Sequence, residues 1–167
     1  MPTSIDIILP CYQPSSNWAK ELFAFHEALN QRYNVTYIIV NDGSSGNYFT
    51  EQLKWLTNKN IPFEFISYDV NKGKGFALRK GIQKSTANYV MYTDCDFPFT
   101  QTSMFELLNS LVSQQFDIFV GYRNNAYYEK KMSLFRKILS KAFRFFVKRI
   151  LKMPITDTQC GLKAFNT

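Results

Sequence analysis

The chain alternates short apolar runs with longer segments whose apolar residues recur at helical spacing, and this alternation constrains its fold more than any other feature. Five runs are predicted strands: Ile5 to Pro10, Val35 to Asn41, Phe63 to Ser67, Asn88 to Thr93 and Asp117 to Tyr122. Four segments are predicted helices: Trp18 to Leu29, Phe49 to Leu56, one from about Gly75, and one begun by a Ser103-x-x-Glu106 capping box. Strands that alternate with helices predict an α/β fold with a mostly parallel sheet and helices on both faces. Active sites in such sheets lie at the carboxyl ends of the strands.

Two aspartates, Asp94 and Asp96, follow the apolar run Tyr89-Val90-Met91-Tyr92. In an extended strand residues i and i+2 point to the same face, so both carboxylates are predicted to converge on one hard cation. Divalent ions bound by one or two carboxylates take their remaining ligands from water and substrate phosphates. The pair therefore predicts a Mg²⁺ or Mn²⁺ site that faces a nucleoside diphosphate, with a surface turn as the alternative.

Asp42 follows the second predicted strand in the segment Asn41-Asp42-Gly43. There it is placed to accept hydrogen bonds from a nucleobase or a ribose. The same three residues are a strong turn signal whether or not a ligand binds.

A glycine-rich basic loop, Asn71 to Gly81, leads into the third predicted helix. Lys72, Lys74 and Gly75 are predicted to offer positive charge and backbone N–H groups to an anion at the helix N-terminus. The loop lacks the Gly-x-x-x-x-Gly-Lys-Ser/Thr pattern, so ATP hydrolysis is not indicated.

Composition predicts a globular domain in a reducing compartment. The 167 residues are 46% apolar and 17% aromatic, enough for a substantial core. Cys11, Cys95 and Cys160 are widely spaced and indicate neither a disulfide framework nor a zinc site. No run approaches the roughly 18 apolar residues of a membrane span, and the N-terminus lacks the features of a signal peptide. We therefore expect a chain that is neither secreted nor membrane-spanning.

Positive charge is concentrated near the C-terminus. Residues 1–122 contain 9 Lys and Arg against 11 Asp and Glu, whereas residues 123–167 contain 11 against 2. Between 130 and 152 the basic residues are interleaved with an apolar stripe of Met132, Phe135, Leu139, Phe143, Phe146 and Ile150. This pattern predicts a basic amphipathic helix, which either packs on the core or attaches to an anionic membrane surface. The segment carries no nucleic-acid-binding motif, so nucleic acid is not an expected partner.

Five segments in order resemble the family-2 glycosyltransferases with the GT-A (Rossmann-like) fold. They are Leu9-Pro10-Cys11-Tyr12, Val40 to Ser45, Asn71 to Gly81, the Asp94-Cys95-Asp96 triplet and Asp157 to Lys163. Within that family the chain most resembles the polyprenyl- and dolichyl-phosphate glucosyl- and mannosyltransferases. The resemblance implies transfer of a hexose from a nucleotide sugar, with UDP-glucose as the first expectation and GDP-mannose as the second.

The resemblance and the patterns above together give a set of expected site residues. The nucleotide sugar is expected to contact Pro10, Tyr12, Asp42, Lys72, Lys74, Gly75, Asp94 and Asp96. The metal ligands are expected to be Asp94 and Asp96, supported by Gln159. The catalytic residues are expected to be Asp96, Arg123, Arg136 and Asp157.

The acceptor decides the expected mechanism. A polyprenyl phosphate is already anionic and needs no general base, so Arg123 and Arg136 would hold it while the metal stabilises the leaving diphosphate, with inversion at the sugar. A saccharide hydroxyl would need a base, for which Asp157 is the candidate. A non-catalytic module that binds nucleotide or membrane is a further alternative.

The resemblance also sets expectations for organisation and location. We expect one catalytic domain over residues 1–167, with nucleotide-sugar binding in about 1–123 and the basic helix and acceptor side in about 124–167. Gln13-Pro14 stands where relatives commonly have Asn-Glu, and family domains usually continue beyond Gly161-Leu162-Lys163, so we expect C-terminal truncation. The expected location is cytoplasmic, peripheral at the cytoplasmic face of a membrane.

Overall fold

The computed structural model describes residues 3–45, 47, 49–113, 116–122, 139, 142–143, 145–147, 149–150 and 160–167. Its elements are β1 (Thr3–Cys11), α1 (Trp18–Leu29), β2 (Tyr33–Asp42), α2 (Thr50–Asn58), β3 (Phe63–Tyr68), α3 (Lys74–Lys84), β4 (Tyr89–Tyr92), α4 (Gln101–Ser113), β5 (Ile118–Val120) and β6 (Lys163–Asn166). The six strands of this described part form one mixed sheet in the order β3-β2-β1-β4-β6-β5. The chain forms two compact units, one of residues 1–119 with 162–167 and the other of residues 120–161.

The four strands β1 to β4 are mutually parallel where they pair. β1 pairs in parallel with both β2 and β4, and β2 pairs in parallel with β3. The predicted α/β fold with a mostly parallel sheet is therefore confirmed. The strand β6 was not predicted, and it pairs antiparallel with β4.

Helices cover both faces of this sheet, as predicted. On one face, α3 packs on a buried apolar cluster that includes Ile8, Ile38 and Val90. Side chains alternate along a strand, so Tyr37 points to the opposite face, where its ring lies 5.7 Å from that of His26 on α1. His26 is buried, and burial lowers the pKa of its imidazole.

The helix α4 begins earlier than its predicted capping box. The hydroxyl oxygen of Thr100 accepts a hydrogen bond from the backbone N–H of Ser103 at 3.2 Å, which makes Thr100 the N-cap. The prediction that Ser103 and Glu106 begin this helix is therefore wrong by about one turn. Met104, Leu108 and Leu111 are buried as predicted.

In the unit of residues 120–161, the described residues from 139 to 149 are helical. Four members of the predicted apolar stripe are described there, and all are exposed: Leu139 (61%), Phe143 (41%), Phe146 (48%) and Ile150 (61%). Among the residues that the structure describes, no helix has the length and apolarity that a membrane span requires.

Candidate functional site

A cavity of about 480 Å³ opens at the carboxyl edge of the sheet, where the predicted motifs end their strands. This volume lies in the usual range of small-molecule sites. Its wall consists of Pro10, Cys11, Tyr12, Gln13, Pro14, Ser15, Asp42, Asn71, Gly73, Lys74, Asp94, Cys95 and Asp96. Residues from four separate segments thus meet in one pocket because parallel strands end at the same edge.

Asp94 and Asp96 both line this pocket, but they do so from a turn. The strand β4 ends at Tyr92, and the backbone N–H of Phe97 donates to the carbonyl oxygen of Asp94 at 3.0 Å. Phe97 has a φ of 45°, which is compatible with a tight reversal of the chain. The premise that the two carboxylates share one face of an extended strand is therefore wrong, whereas their convergence on one pocket is observed.

The carboxylate of Asp94 already binds a cation, because the ammonium group of Lys74 forms an ion pair with it. The side chains of Lys74 and Asp94 are 44% and 38% exposed, so solvent and ligands can reach the pair. The ion pair shows that the carboxylate of Asp94 holds a positive charge at this edge of the pocket. Asp94 and Asp96 therefore fit a divalent metal through their chemistry and their access to the pocket.

Within the described ranges, no group of three or more His, Cys, Asp or Glu side chains is arranged to hold a metal. Two carboxylates match the way Mg²⁺ is bound beside substrate phosphates, where the substrate and water supply the remaining ligands. The two carboxylates therefore suit a metal ion that is also bound by a diphosphate better than a metal ion that is bound by protein ligands alone.

Asp42 is held in place by hydrogen bonds from the glycine-rich loop. Its Oδ1 accepts the backbone N–H of Lys72 at 2.8 Å, and its carbonyl oxygen accepts a hydrogen bond from Nδ2 of Asn71 at 3.2 Å. The turn that was the alternative interpretation is also present, since Oδ1 of Asn41 accepts the N–H of Ser44 at 2.9 Å. Asp42 is therefore both part of a turn and part of the pocket wall.

The two lysines of the loop differ in their placement. Lys74 lines the pocket, whereas the ammonium of Lys72 lies 4.8 Å from the ring centroid of Phe76 and 5.7 Å from that of Tyr68. Lys72 thus contributes to the site through its backbone N–H to Asp42. Gly75 lies in the first turn of α3 and is not among the wall residues.

The segment after β1 contributes more of the wall than the sequence indicated. Pro10 and Tyr12 line the pocket as expected, and Tyr12 is 50% exposed. Gln13, which departs from the family pattern, also lines it, with a φ of 46° and a backbone N–H that donates to Oγ of Ser44 at 2.9 Å. The positive φ and this hydrogen bond have no signature in a single sequence.

Two buried cysteines, Cys11 and Cys95, meet in the same wall. Burial raises the pKa of the Cys11 thiol well above its usual value, and the nearby Cys95 and the charges of Asp94 and Asp96 raise it further. The nearby Cys11 lowers the pKa of the Cys95 thiol. Neither thiol was predicted to take part in the chemistry of the site.

Four expected site residues lie outside the described residues. They are Arg123, Arg136, Asp157 and Gln159. Their assigned roles stay predictions.

The family model described as glycosyl transferase family 2 matches residues 6–167. The chain is 37% identical over 93 residues to a poly-beta-1,6-N-acetyl-D-glucosamine synthase of Staphylococcus epidermidis, which covers 55% of this chain and 21% of that protein. It is 26% identical over 176 residues to a dolichyl-phosphate beta-glucosyltransferase of Dictyostelium discoideum, which covers 96% of this chain and 53% of that protein.

Among solved structures, the fold is similar to that of the mannosyltransferase PcManGT from Pyrobaculum calidifontis in complex with GDP-Man and Mn²⁺. The TM-score is 0.65 at 14% sequence identity, over 99% of this chain and 45% of that one. The chain thus spans about half, or less, of the length of the proteins it matches. Because the family model covers nearly the whole sequence and the fold agrees with it, the chain belongs to glycosyl transferase family 2.

Proposed function

We propose that this chain provides the donor-binding part of an inverting, metal-dependent hexosyltransferase that moves a sugar from a nucleotide sugar to a polyprenyl phosphate at a membrane surface. The observation that carries the proposal is the pocket at the sheet edge, where Asp42, Lys74, Asp94 and Asp96 meet. These residues supply hydrogen-bond acceptors for a nucleoside and opposite charges for a metal and a diphosphate. UDP-glucose is the first candidate donor and GDP-mannose the second.

In this proposal the donor binds with its nucleoside beside Asp42 and its diphosphate beside Lys74. Asp42 is held in place by the Lys72 backbone, so its carboxylate is orientated before the ligand arrives. A Mg²⁺ or Mn²⁺ ion held by Asp94 and Asp96 would supply the positive charge that stabilises the leaving nucleoside diphosphate. The similarity to a glucosyltransferase and to a mannosyltransferase solved with GDP-Man and Mn²⁺ supports this arrangement.

On the acceptor side, a polyprenyl phosphate needs orientation and charge neutralisation rather than deprotonation. Its oxygen attacks the anomeric carbon from the side opposite the leaving diphosphate, which inverts the configuration. Arg123 and Arg136 are the proposed phosphate-binding residues, with Asp157 and Gln159 supporting the metal and phosphates. The similarity to a dolichyl-phosphate beta-glucosyltransferase over 96% of the chain supports this acceptor class.

A saccharide hydroxyl is the second candidate acceptor. It is favoured by the 37% identity to a poly-beta-1,6-N-acetyl-D-glucosamine synthase. That acceptor would need a general base, and Asp157 would be the residue for it. Transfer assays with a polyprenyl phosphate and with an oligosaccharide separate the two candidates.

The membrane part of the proposal rests on the segment around residues 139–150. Its described residues expose Leu139, Phe143, Phe146 and Ile150, and the surrounding sequence is rich in Lys and Arg. Apolar side chains beside basic ones suit the boundary between headgroups and acyl chains. Cys11 and Cys95 are free thiols, which fits a reducing compartment and supports the cytoplasmic side.

The test is calorimetric titration with UDP and with GDP, each with Mn²⁺ and again with excess EDTA. We expect one nucleotide to bind only with the metal, and Asp96→Asn to abolish that binding while circular dichroism stays unchanged. Asp117→Asn is the matched control, because Asp117 is exposed and is not in the pocket wall. Equal affinity with EDTA, or an unchanged affinity of Asp96→Asn, would contradict the proposal.

A further inference from the structure

A left-handed backbone conformation distinguishes the turn that carries the two carboxylates of the pocket. Among the residues that the structure describes, the non-glycine residues with a positive φ are Gln13 (46°), Asn60 (55°) and Phe97 (45°). Asn60 lies just after the end of α2, where asparagine commonly takes this conformation. Phe97 is different, because a bulky side chain rarely adopts a positive φ and such residues concentrate at functional sites. The conformation of Phe97 therefore requires a cause in the structure around it.

Phe97 closes the turn in which the carboxylates lie. Its backbone N–H donates to the carbonyl oxygen of Asp94 at 3.0 Å, so Cys95 and Asp96 are the two central residues of a β-turn. Glycine is favoured at the fourth position of such turns, and it takes a positive φ without strain. A phenylalanine at this position indicates that its ring contributes an interaction that glycine cannot make.

The ring of Phe97 packs on the helix α1. Its centroid lies 5.7 Å from that of the Phe25 ring, and the two ring planes are inclined at 57°. Inclined rings at this separation attract each other. Phe25 is only 1% exposed, so its own position is fixed within the core. The contact therefore attaches the turn after β4 to a helix that is packed on the sheet.

Burial along the turn shows which side chains this attachment leaves at the pocket. Thr93 is fully buried, Cys95 is 8% exposed, and Phe97 is half-buried. Asp94 and Asp96 alternate with these residues and line the pocket. If the ring of Phe97 left Phe25, the turn would lose one of its attachments, and the two carboxylates would no longer be held in one arrangement.

We propose that Phe97 is a positioning residue of the candidate metal site, because its ring, packed on Phe25, holds Asp94 and Asp96 where both can meet one divalent cation. Phe97 is not among the wall residues, so it acts through the carboxylates rather than by contact with the donor. This role rests on the proposed function, whereas the attachment of the turn to α1 does not.

The role is tested by calorimetric titration of two variants with UDP and with GDP in the presence of Mn²⁺. Phe97→Gly permits the positive φ but removes the ring, and Phe97→Leu keeps an apolar side chain against Phe25. We expect binding at least tenfold weaker than wild type in Phe97→Gly and within about threefold of wild type in Phe97→Leu, because displaced ligands hold a metal poorly. Equal affinity of Phe97→Gly and the wild type would overturn the proposal.

Phe105→Ala is the matched control for loss of stability. Phe105 is also half-buried, and its ring lies 6.2 Å from that of Tyr33. Tyr33 is the first residue of β2, at the end of the strand opposite the pocket. This variant should unfold at a lower urea concentration but bind the nucleotide with Mn²⁺ within about threefold of wild type, because its contacts are remote from the site. A loss of affinity as large as that of Phe97→Gly would show that instability alone weakens binding, and would overturn the positioning role.

The attachment of the turn is measured without any ligand, by amide hydrogen exchange of residue 97 observed by NMR. We expect the protection factor of this amide to be at least tenfold lower in Phe97→Gly than in wild type and Phe97→Leu, because its hydrogen bond to Asp94 opens more often. Equal protection in all three would overturn the attachment. If the wild type binds neither UDP nor GDP with Mn²⁺, the proposed function fails and the positioning role fails with it. The protection factors then still decide whether the ring holds the turn.

Discussion

At the scale of single residues, the ion pair between Lys74 and Asp94 is the contact that a ligand has to rearrange. Both side chains are partly exposed, so the pair contributes little to stability, on the order of 0–1 kcal/mol. The ion pair instead holds a positive charge at the place where a diphosphate and a metal are proposed to bind. The pocket still has an excess of negative charge, because Asp42, Asp94 and Asp96 line it together with Lys74.

Lys74→Met is expected to weaken metal-dependent nucleotide binding about tenfold, because the diphosphate loses one charged partner. Binding of Mn²⁺ alone should not weaken, since the ammonium no longer competes for Asp94. Calorimetric titration measures both. Lys72→Met is the control, because its ammonium lies over the ring of Phe76 while its backbone N–H, which holds Asp42, is kept. An equal loss in the two variants would contradict the assignment of the phosphate contact to Lys74.

Gly43 is required by close packing between two loops of the pocket. Its φ is +75°, and a Cβ atom there would lie 2.3 Å from the backbone N of Asn71 and 2.5 Å from the carbonyl carbon of Val70. Such an atom would separate the turn after β2 from the glycine-rich loop. The hydrogen bond from Lys72 to Asp42 joins these same two loops and would be lost.

Gly43→Ala is therefore expected to destabilise the fold more than Gly73→Ala and to abolish nucleotide binding. Gly73 also has a positive φ, of +85°, but a Cβ atom there would meet nothing within 4 Å. The Gly73→Ala control should lose only about 1–3 kcal/mol of the free energy of unfolding, which is the cost of an alanine at a positive φ. Urea unfolding measures the two free energies, and equal losses would mean that the loop contact at Gly43 is unimportant.

At the scale of elements, the helix α3 sits close to the sheet because Gly81 has no side chain. A Cβ atom at Gly81 would lie 2.4 Å from Cγ2 of Ile8, a fully buried residue of β1. This close approach sets the distance of α3 from β1, and hence the place where its N-terminal loop meets the pocket.

This packing is tested by making Gly81 larger and Ile8 smaller, singly and together. Gly81→Ala should destabilise through overpacking by about 1–3 kcal/mol, partly offset by the roughly 1 kcal/mol better helix propensity of alanine. Ile8→Ala should cost about 2–5 kcal/mol through the cavity it leaves. In the double variant the new methyl group fills part of that cavity. The double variant should therefore lose less free energy of unfolding than the two single variants together, by about 1 kcal/mol or more.

The cycle is measured by urea unfolding. Ile7→Ala combined with Gly81→Ala is the matched control, because Ile7 is equally buried but points to the other face of the sheet. That pair should be additive to within about 0.5 kcal/mol. Additivity in the pair with Ile8 would show that the helix simply moves away from the sheet.

The elements also indicate what a sequence can predict here. β1 to β5 and α1 to α4 were all predicted, because each has its own apolar periodicity and turn residues. β6 was missed because it has four residues and its partner, β4, lies some seventy positions earlier in the chain. Local patterns carry no information on such a pairing.

The candidate site, like the fold, was predictable only in part. Asp42, Lys74, Asp94 and Asp96 carry charge at the ends of strands or the start of a helix, so their meeting at one edge follows from topology. The turn at Asp94 and the fold-back at Gln13 depend on hydrogen bonds. These appear only when the strands are paired.

At the scale of the whole molecule, the excess of positive charge lies in the part of the chain that also exposes Leu139, Phe143, Phe146 and Ile150. Residues 123–167 hold 11 Lys and Arg against 2 Asp and Glu, while residues 1–122 hold 9 against 11. The pocket that is proposed to bind the donor is lined by residues of the second, slightly acidic group. Donor binding and the proposed membrane contact are thus assigned to different parts of the sequence.

The proposed membrane contact is tested by flotation with phosphatidylglycerol vesicles and with phosphatidylcholine vesicles. We expect the protein to float with the anionic vesicles at low salt and less at 1 M salt, where charges are screened beyond about 3 Å. The double variant Phe143→Ser/Phe146→Ser should bind at least tenfold more weakly, since burial of each phenylalanine contributes about 1.5–3 kcal/mol. Phe116→Ser is the control, because Phe116 is 64% exposed but lies outside the basic segment. Equal flotation of the two variants would mean that charge alone holds the protein, and no flotation with anionic vesicles at low salt would remove the membrane from the proposal.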